Sequence, residues 1–370
     1  MEKKGGERPS TKSMKSIAVD FETYYATKLD YSIQDLGAER YVRDDRFDPY
    51  LISVCDGKNC WAGKPADFNW GALENQVLVS HNAQFDRTVY NEMVKRGWAP
   101  QVKFSAWHCS ANLSSYLCNR RALDDACQFL LGITLDKSTR NDANGKTSDQ
   151  LREDKAGRER MLAYARSDAF HCWQLWDKFG HLWPEHERQL SNLTIEQGMR
   201  GVQIDTELLN EYLRITDTMM IVALHALPWV SAGAKPTSPK AMAEACRKEN
   251  IPCPPVKSKE GVGAFEKWEA EYAPRFPWIQ AVIAYRQLNK FHGTLKTIKT
   301  RLKDDGTLPF GLKYFGAHTG RWSGDAGLNF QNFRKVPIYA TAEGGLTEDK
   351  NLAVHALDVR RLIIPRPDAV

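Results

Sequence analysis

Hydrophobic and polar positions fall into two regimes along this chain. Between residues 16 and 82, the short runs SIAVDFET, YLISVCDG, NCWAG and QVLVSHN are rich in Val and Ile and bounded by Gly, Asn or Asp. They predict four consecutive strands, the first three as an antiparallel meander. After Asn82 the period changes. Phe85, Val89 and Met93, with Tyr90 and Val94, recur at helical spacing until Gly97, so VLVSHN and this helix form a strand-to-helix unit. Helices are also predicted at 110–116, 122–131 and 158–176, whereas residues 136–149, DKSTRNDANGKTSD, read as an exposed loop. Strands first with helices around them predict an α/β domain over residues 16–182.

Trp183-Pro184 breaks that pattern. From Glu185 to Lys303 the reading is almost wholly helical, interrupted by AGAKPTSPK and NIPCPPVKSKEGVG. From Leu308 onward the runs are short, strand-like and glycine-containing, and RRLIIPRPDAV reads as an apolar strand start. The expected organisation is a flexible tail at 1–15, the α/β domain at 16–182, a helical module at 183–303 and an incomplete strand-bearing module at 304–370. The last strand, with Leu362, Ile363 and Ile364, is expected to be unpaired and completed by a partner's strands.

With 370 residues, 42% apolar and 26% charged, composition is that of a globular protein and excludes both disorder and a single mini-domain. No window of 18 apolar residues exists and residues 1–15 carry no apolar run, so neither a membrane partner nor a secretory signal is read, and a cytoplasmic location is expected. The eight cysteines lack the density of a disulfide scaffold and form no CxxC pair; all are expected to be reduced, as small buried hydrophobes.

Charge alters the picture only locally. Residues 286–335 hold ten basic and three acidic side chains, a net +7 within an overall +5. Two readings stand: a face for a phosphate backbone, or Lys-rich solvated helices.

Candidate chemistry lies in three places. Asp20 and Glu22, at i and i+2 directly after Ile17-Ala18-Val19, project from one face of a strand. Two acids so fixed repel unless a cation neutralises them, and carboxylate oxygens suit Mg²⁺ or Mn²⁺. Alone, the pair is more often a solvated edge. Asp86, in HNAQFD, begins the helix after a buried strand, with Asn82 as N-cap candidate; it faces either the crevice where strands hand over to helices, or only the helix dipole. Tyr164 and Asp168, in YARSD, are i and i+4 on one helix face. A phenol one turn from a carboxylate can orient a water for phosphodiester hydrolysis, although a surface Tyr beside a surface Asp is the commoner arrangement.

DFET, NAQFD and YARSD, in this order and on these elements, resemble the three motifs of the DEDD 3′-to-5′ exonuclease superfamily, tyrosine subtype. The resemblance implies a ribonuclease-H-like fold and two divalent cations, Mg²⁺ or Mn²⁺. Asp20 would bridge both ions, Glu22 and Asp168 would complete the hydrolytic one, Asp86 would hold the second through water, and Tyr164 would position the attacking water. Loss of Asp20 or Asp168 would then lower the rate on the order of a thousandfold.

TIEQGMRGVQID (194–205) resembles the opening of the helical thumb region of family A DNA polymerases, and GAHTGRWSGDAGLNFQN (316–332) resembles their TGR motif, phage members above all. It departs at Leu328, before Asn329, where the family usually has Pro. The likeness implies a thumb at 183–303, the start of a palm at 304–370, and DNA as partner, both a 3′ single-stranded end and a primer-template duplex. Asn82, Arg321, Gln331 and Asn332 carry over as DNA contacts. Read alone, Arg321 between Gly320 and Trp322 suits a phosphate or a base edge on a Gly-flexed turn, or an ordinary hairpin. Since RRLIIPRPDAV resembles the strand before the first polymerase catalytic motif, the sequence is expected to be either a fragment of such a polymerase or, the reading preferred, the proofreading subunit of a split one whose second chain carries those motifs. The alternative is an idle scaffold that only grips DNA.

Overall fold

The structure, a computed structural model, describes residues 16–136, 138–254, 264–325, 327–342 and 345–367. The predicted tail at 1–15 and residues 255–263 of the Pro-rich run lie outside them. The chain forms two compact units: one from the chain up to Gly201 together with Pro309–Gln331, the other from Val202–Leu308 together with the chain from Asn332 on.

The first unit is an α/β layer structure. Its elements run β1 (Ser16–Thr23), α1 (Ile33–Leu36), α2 (Ala38–Arg43), β2 (Pro49–Cys55), β3 (Cys60–Gly63), β4 (Val77–Ser80), α3 (Ala83–Lys95), β5 (Ala106–Cys109), α4 (Ser110–Cys118), α5 (Leu123–Leu131), α6 (Ser138–Asp142), α7 (Ser148–Glu153), α8 (Lys155–Phe179) and α9 (Glu185–Arg200). The sheet order is β3-β2-β1-β4-β5. The first three strands are the antiparallel meander the sequence predicts, and β4 and β5 add parallel to β1, which is the ribonuclease-H-like arrangement.

Alternation along β1 divides its side chains between two cores. Val19 and Phe21 join the large cluster with Tyr31, Tyr41, Val89 and Met93. Ala18, on the opposite face, packs with Val79 of β4 and Cys172 of α8, flanked by Trp173 and Trp176. Asp20 and Glu22 therefore share the face that α8 covers. A register irregularity between Glu22 and Thr23 ends the regular pairing directly beyond the second acid.

Several expectations are corrected. Residues 136–149 are not a plain loop: α6 and the start of α7 fall within them. Asp136 accepts from the backbone N–H of Ser138, Thr147 and Gln150 form a reciprocal capping box, and Ala143 is buried beside Tyr50, Leu51, Met161 and Leu162. Nor are all cysteines reduced. Cys55 and Cys60 face each other in the β2–β3 register and form a disulfide, while the other six are thiols, Cys109, Cys127, Cys172 and Cys246 buried as expected. β5, only four residues long, was absent from the sequence reading.

A strap returns to this unit after residue 308. Leu312–Lys313 pairs with Ser323–Gly324, and the Phe310 N–H donates to the carbonyl of Gly198 on α9, where a Cβ would collide with the Phe310 carbonyl. Tyr314 is buried with Leu113 and Trp183, and its hydroxyl donates to Glu187.

The second unit is mainly helical, with β6 (Val202–Ile204), α10 (Thr206–His225), α11 (Pro239–Lys248), α12 (Ala264–Tyr272), α13 (Pro277–Arg301) and β7 (Thr307–Leu308). α10 and α13 pack along their lengths, with Tyr212 against Phe291 and Thr216 bonded to His292. β6 lies within the tract read as helical. It corrects the expectation of an unpaired last strand: Ile363–Ile364 pairs antiparallel with β6, whose other edge takes β7. Among the described residues no helix is long and apolar enough to cross a membrane.

Candidate active site

Three elements converge on the end of β1. On β1, Asp20 and Glu22 are half-buried while Val19, Phe21 and Thr23 are buried on the other side. On α8, Tyr164, Asp168 and Cys172 follow at intervals of four, so one stripe of the helix carries all three. Cys172 packs on Ala18, which puts Asp168 and Tyr164 beside the continuation of the same β1 face, Asp20 and then Glu22. The Tyr164 hydroxyl donates to Asp168, and its ionisation is pushed far up by burial first and then by Asp168 and Glu22, so it stays a neutral phenol.

Asp86 arrives from the first turn of α3 and is 2% exposed. One carboxylate oxygen accepts the backbone N–H of Phe21 at 3.3 Å, which fixes it against β1 between the two acids. Burial raises its affinity for a proton most, the negative charge of Asp20 next and that of Glu22 to a lesser degree; only the Phe21 amide opposes them. Asp20 and Glu22 thus act on Asp86 on one side and on Tyr164 on the other, so one acidic locus joins the three motifs.

This donor set fits a hard divalent cation. All four side chains offer carboxylate oxygens, and Asp86 is a wholly buried acid crowded by like charge, the situation a cation relieves. The carboxylates are gathered, not caged: among the described residues no three His, Cys, Asp or Glu side chains form a ready metal-holding group.

Asn82 occupies the N-cap position of α3 in a left-handed conformation (φ 91°); its side chain is exposed and makes no capping bond. The turn before it is fixed from below by His81, whose ring bridges the Ser110 hydroxyl at 2.9 Å and the Arg121 carbonyl at 2.7 Å. The other candidate contacts lie on other segments. Arg321 is exposed after a turn closed by the Gly320 N–H to the Ala317 carbonyl, with Gly320 at φ 76°. Gln331 and Asn332 are exposed on the single 3₁₀ turn Phe330–Asn332. The basic run is less uniform than its count: Arg301 is buried, Arg286 pairs with Glu269 at 3.1 Å, and Lys313 with Asp325 at 3.4 Å.

Sequence reasoning missed three contributors. The Phe21 amide has no side-chain signal. Cys172 read only as one of eight cysteines expected to be small buried hydrophobes. Leu51, opposite Glu22 in the β1–β2 register, forms a wall with Met161 and Leu162 on which Tyr164 packs; only the register of the sheet reveals it.

Residues 10–183 match the family model described as 3′-5′ exonuclease, that of family A DNA polymerases. No curated protein matches the chain. Among solved structures, the chain is similar to the POL domain of Pol1 from M. smegmatis in complex with DNA primer-template and dNTP, at a TM-score of 0.54 and 15% identity over 90% of this chain. It spans about half the length of that polymerase chain, 54%. A further match is Brucella melitensis NrnC, at 16% identity and TM-score 0.34, covering 50% of this chain and 83% of that one.

Proposed function

We propose that the chain is a divalent-metal-dependent 3′-to-5′ DNA exonuclease that proofreads for a family A DNA polymerase. The observation that carries this reading is the single acidic locus: Asp20 and Glu22 on β1, Asp86 held to β1 by the Phe21 amide, and Tyr164 with Asp168 on the stripe of α8 that covers the same face. The match of residues 10–183 to an exonuclease family model supports it.

Asp20, Glu22, Asp86 and Asp168 would hold two ions, Mg²⁺ or Mn²⁺, which when bound supply acidification of the attacking water and stabilisation of the leaving 3′ oxygen. The protein's own part is positional. β1 fixes two carboxylates by strand register, and the Phe21 amide holds Asp86 in place although its ionisation there is disfavoured. Tyr164, kept protonated, is a hydrogen-bond donor beside Asp168, suited to orient a water rather than to remove its proton. Asn82, exposed at the head of α3, would contact the 3′ strand end. Arg321, Gln331 and Asn332 would contact the primer-template duplex, and the polymerase catalytic motifs would be carried outside these 370 residues.

The test is degradation of 5′-labelled single-stranded DNA by the purified protein with Mg²⁺, with chelator, and with Asp168→Ala. Shortening from the 3′ end that is lost in both controls, on the order of a thousandfold for the variant, is expected. Shortening that survives Asp168→Ala would remove the assignment, and DNA binding without any shortening would favour the idle scaffold.

A further inference from the structure

The first unit holds a cleft of about 820 Å³ that the carboxylate site does not use. It opens at the N-terminal end of β2, which the register places beside the C-terminal end of β1: Leu51, on its wall, lies opposite Glu22. Met161 and Leu162 continue that wall, and the same apolar cluster supports Tyr164. The cleft and the acidic locus therefore share one partition, with adjacent strands only about 5 Å apart.

Its rim carries two kinds of group. Trp61 and Trp98 line it and remain 37% and 45% exposed, which is uncommon for so large an apolar ring. Both are braced: Trp61 packs on Phe68 at 5.3 Å and lies across Gly63, where a Cβ would strike the indole, while Trp98 stacks on Phe47 at 6.1 Å with the Arg96 guanidinium over its face. The cations are Lys64, Arg152 and Arg158 against the carboxylates Asp48 and Asp67. Arg152 is paired with Asp149, and Asp48 accepts the Ser148 amide, whereas Lys64 and Arg158 are exposed and form no ion pair with a described residue.

Braced, exposed indoles beside unpaired cations suit one chemistry, flat bases linked by phosphates. Resting on the exonuclease reading above, we infer that this cleft is an accessory subsite for single-stranded DNA, with bases against Trp61 and Trp98 and backbone phosphates at Lys64 and Arg158. A strand seated there lies next to the partition that carries Tyr164, so the subsite holds substrate near the acids without contributing a group to the reaction.

The experiment is fluorescence anisotropy of 5′-labelled oligodeoxythymidylate on the full chain in chelator, where nothing is hydrolysed. Trp61→Ala combined with Arg158→Ala is expected to weaken binding at least tenfold, and Trp61→Phe, which keeps a ring, to recover most of the loss contributed by Trp61. Circular dichroism and thermal unfolding of each variant check that these exposed positions leave the fold intact. Affinity unchanged in the double variant overturns the proposal. So does Trp61→Phe binding no better than Trp61→Ala, or thymidine 5′-monophosphate competing as strongly as the oligonucleotide, which would make the cleft a free-nucleotide site. Because hydrolysis is absent throughout, an inactive wild type would sink the exonuclease reading while the binding comparison still decides on the cleft.

Discussion

Tyr164 shows how little separates a structural side chain from a working one. Its ring is held by Met161, Leu162 and Leu51, and its hydroxyl donates to Asp168. Tyr164→Phe keeps the first set of contacts and removes the second. If the hydroxyl orients a water, kcat should fall about a hundredfold with KM for single-stranded DNA nearly unchanged, as expected for misplacement of a reacting group. A fall in thermal stability with unaltered kcat would make it a packing residue. At this scale the sequence was informative where side-chain type and spacing coincide, as for Asp20, Glu22, Tyr164 and Asp168. It was silent where the backbone acts: the amide of Phe21 that fixes Asp86 belongs to a residue whose side chain points into the opposite core.

Elements are secured by contacts whose consequences can be measured separately from catalysis. His108 of β5 stacks on Trp176 of α8 at 4.7 Å, with Asn192, Arg188 and Glu185 of α9 around it. Burial, reinforced by Arg188, lowers its pKa from 6.5 to about 4. The folded protein therefore takes up this proton less readily than the unfolded chain. The resulting stability is fully present above about pH 6.5 and is lost as the pH falls through 4, about 3 kcal/mol in all. Urea unfolding of wild type and His108→Phe at pH 7 and pH 4.5 measures this, and the variant should show the smaller difference; equal differences would remove His108 from the account. The two strands missing from the sequence reading, β5 and β6, are four and three residues long, too short for alternation to separate from noise. Their existence follows from neighbours, parallel pairing with β4 for one and two antiparallel partners for the other. The Cys55–Cys60 bridge is of the same kind, because it depends on a hairpin register that composition does not carry.

For the molecule as a whole, the net charge of residues 286–335 remains an argument for DNA, reduced by the side chains that are buried or paired. If about four of the remaining cations meet phosphates, affinity for primer-template duplex should drop about a hundredfold between 50 and 200 mM salt. A flat salt response would assign the charge to solvated helix faces. The hydrophobic period changes near Trp183, whereas the compact units divide after Gly201, and the path of the chain was not legible, since the strap at 309–331 looks like any other short-strand region. That strap sets the order of synthesis. Tyr314 fills a space between Leu113 and Trp183, and Phe310 docks on Gly198, so the first unit lacks part of its interior until the ribosome has passed residue 331. A gene fragment stopped at residue 201 would expose Leu113 and Trp183 to water. It should give less soluble protein, melting at a lower temperature, than the same fragment with 309–331 supplied through a short linker; α/β domains cut from this chain by sequence boundaries alone would inherit that defect.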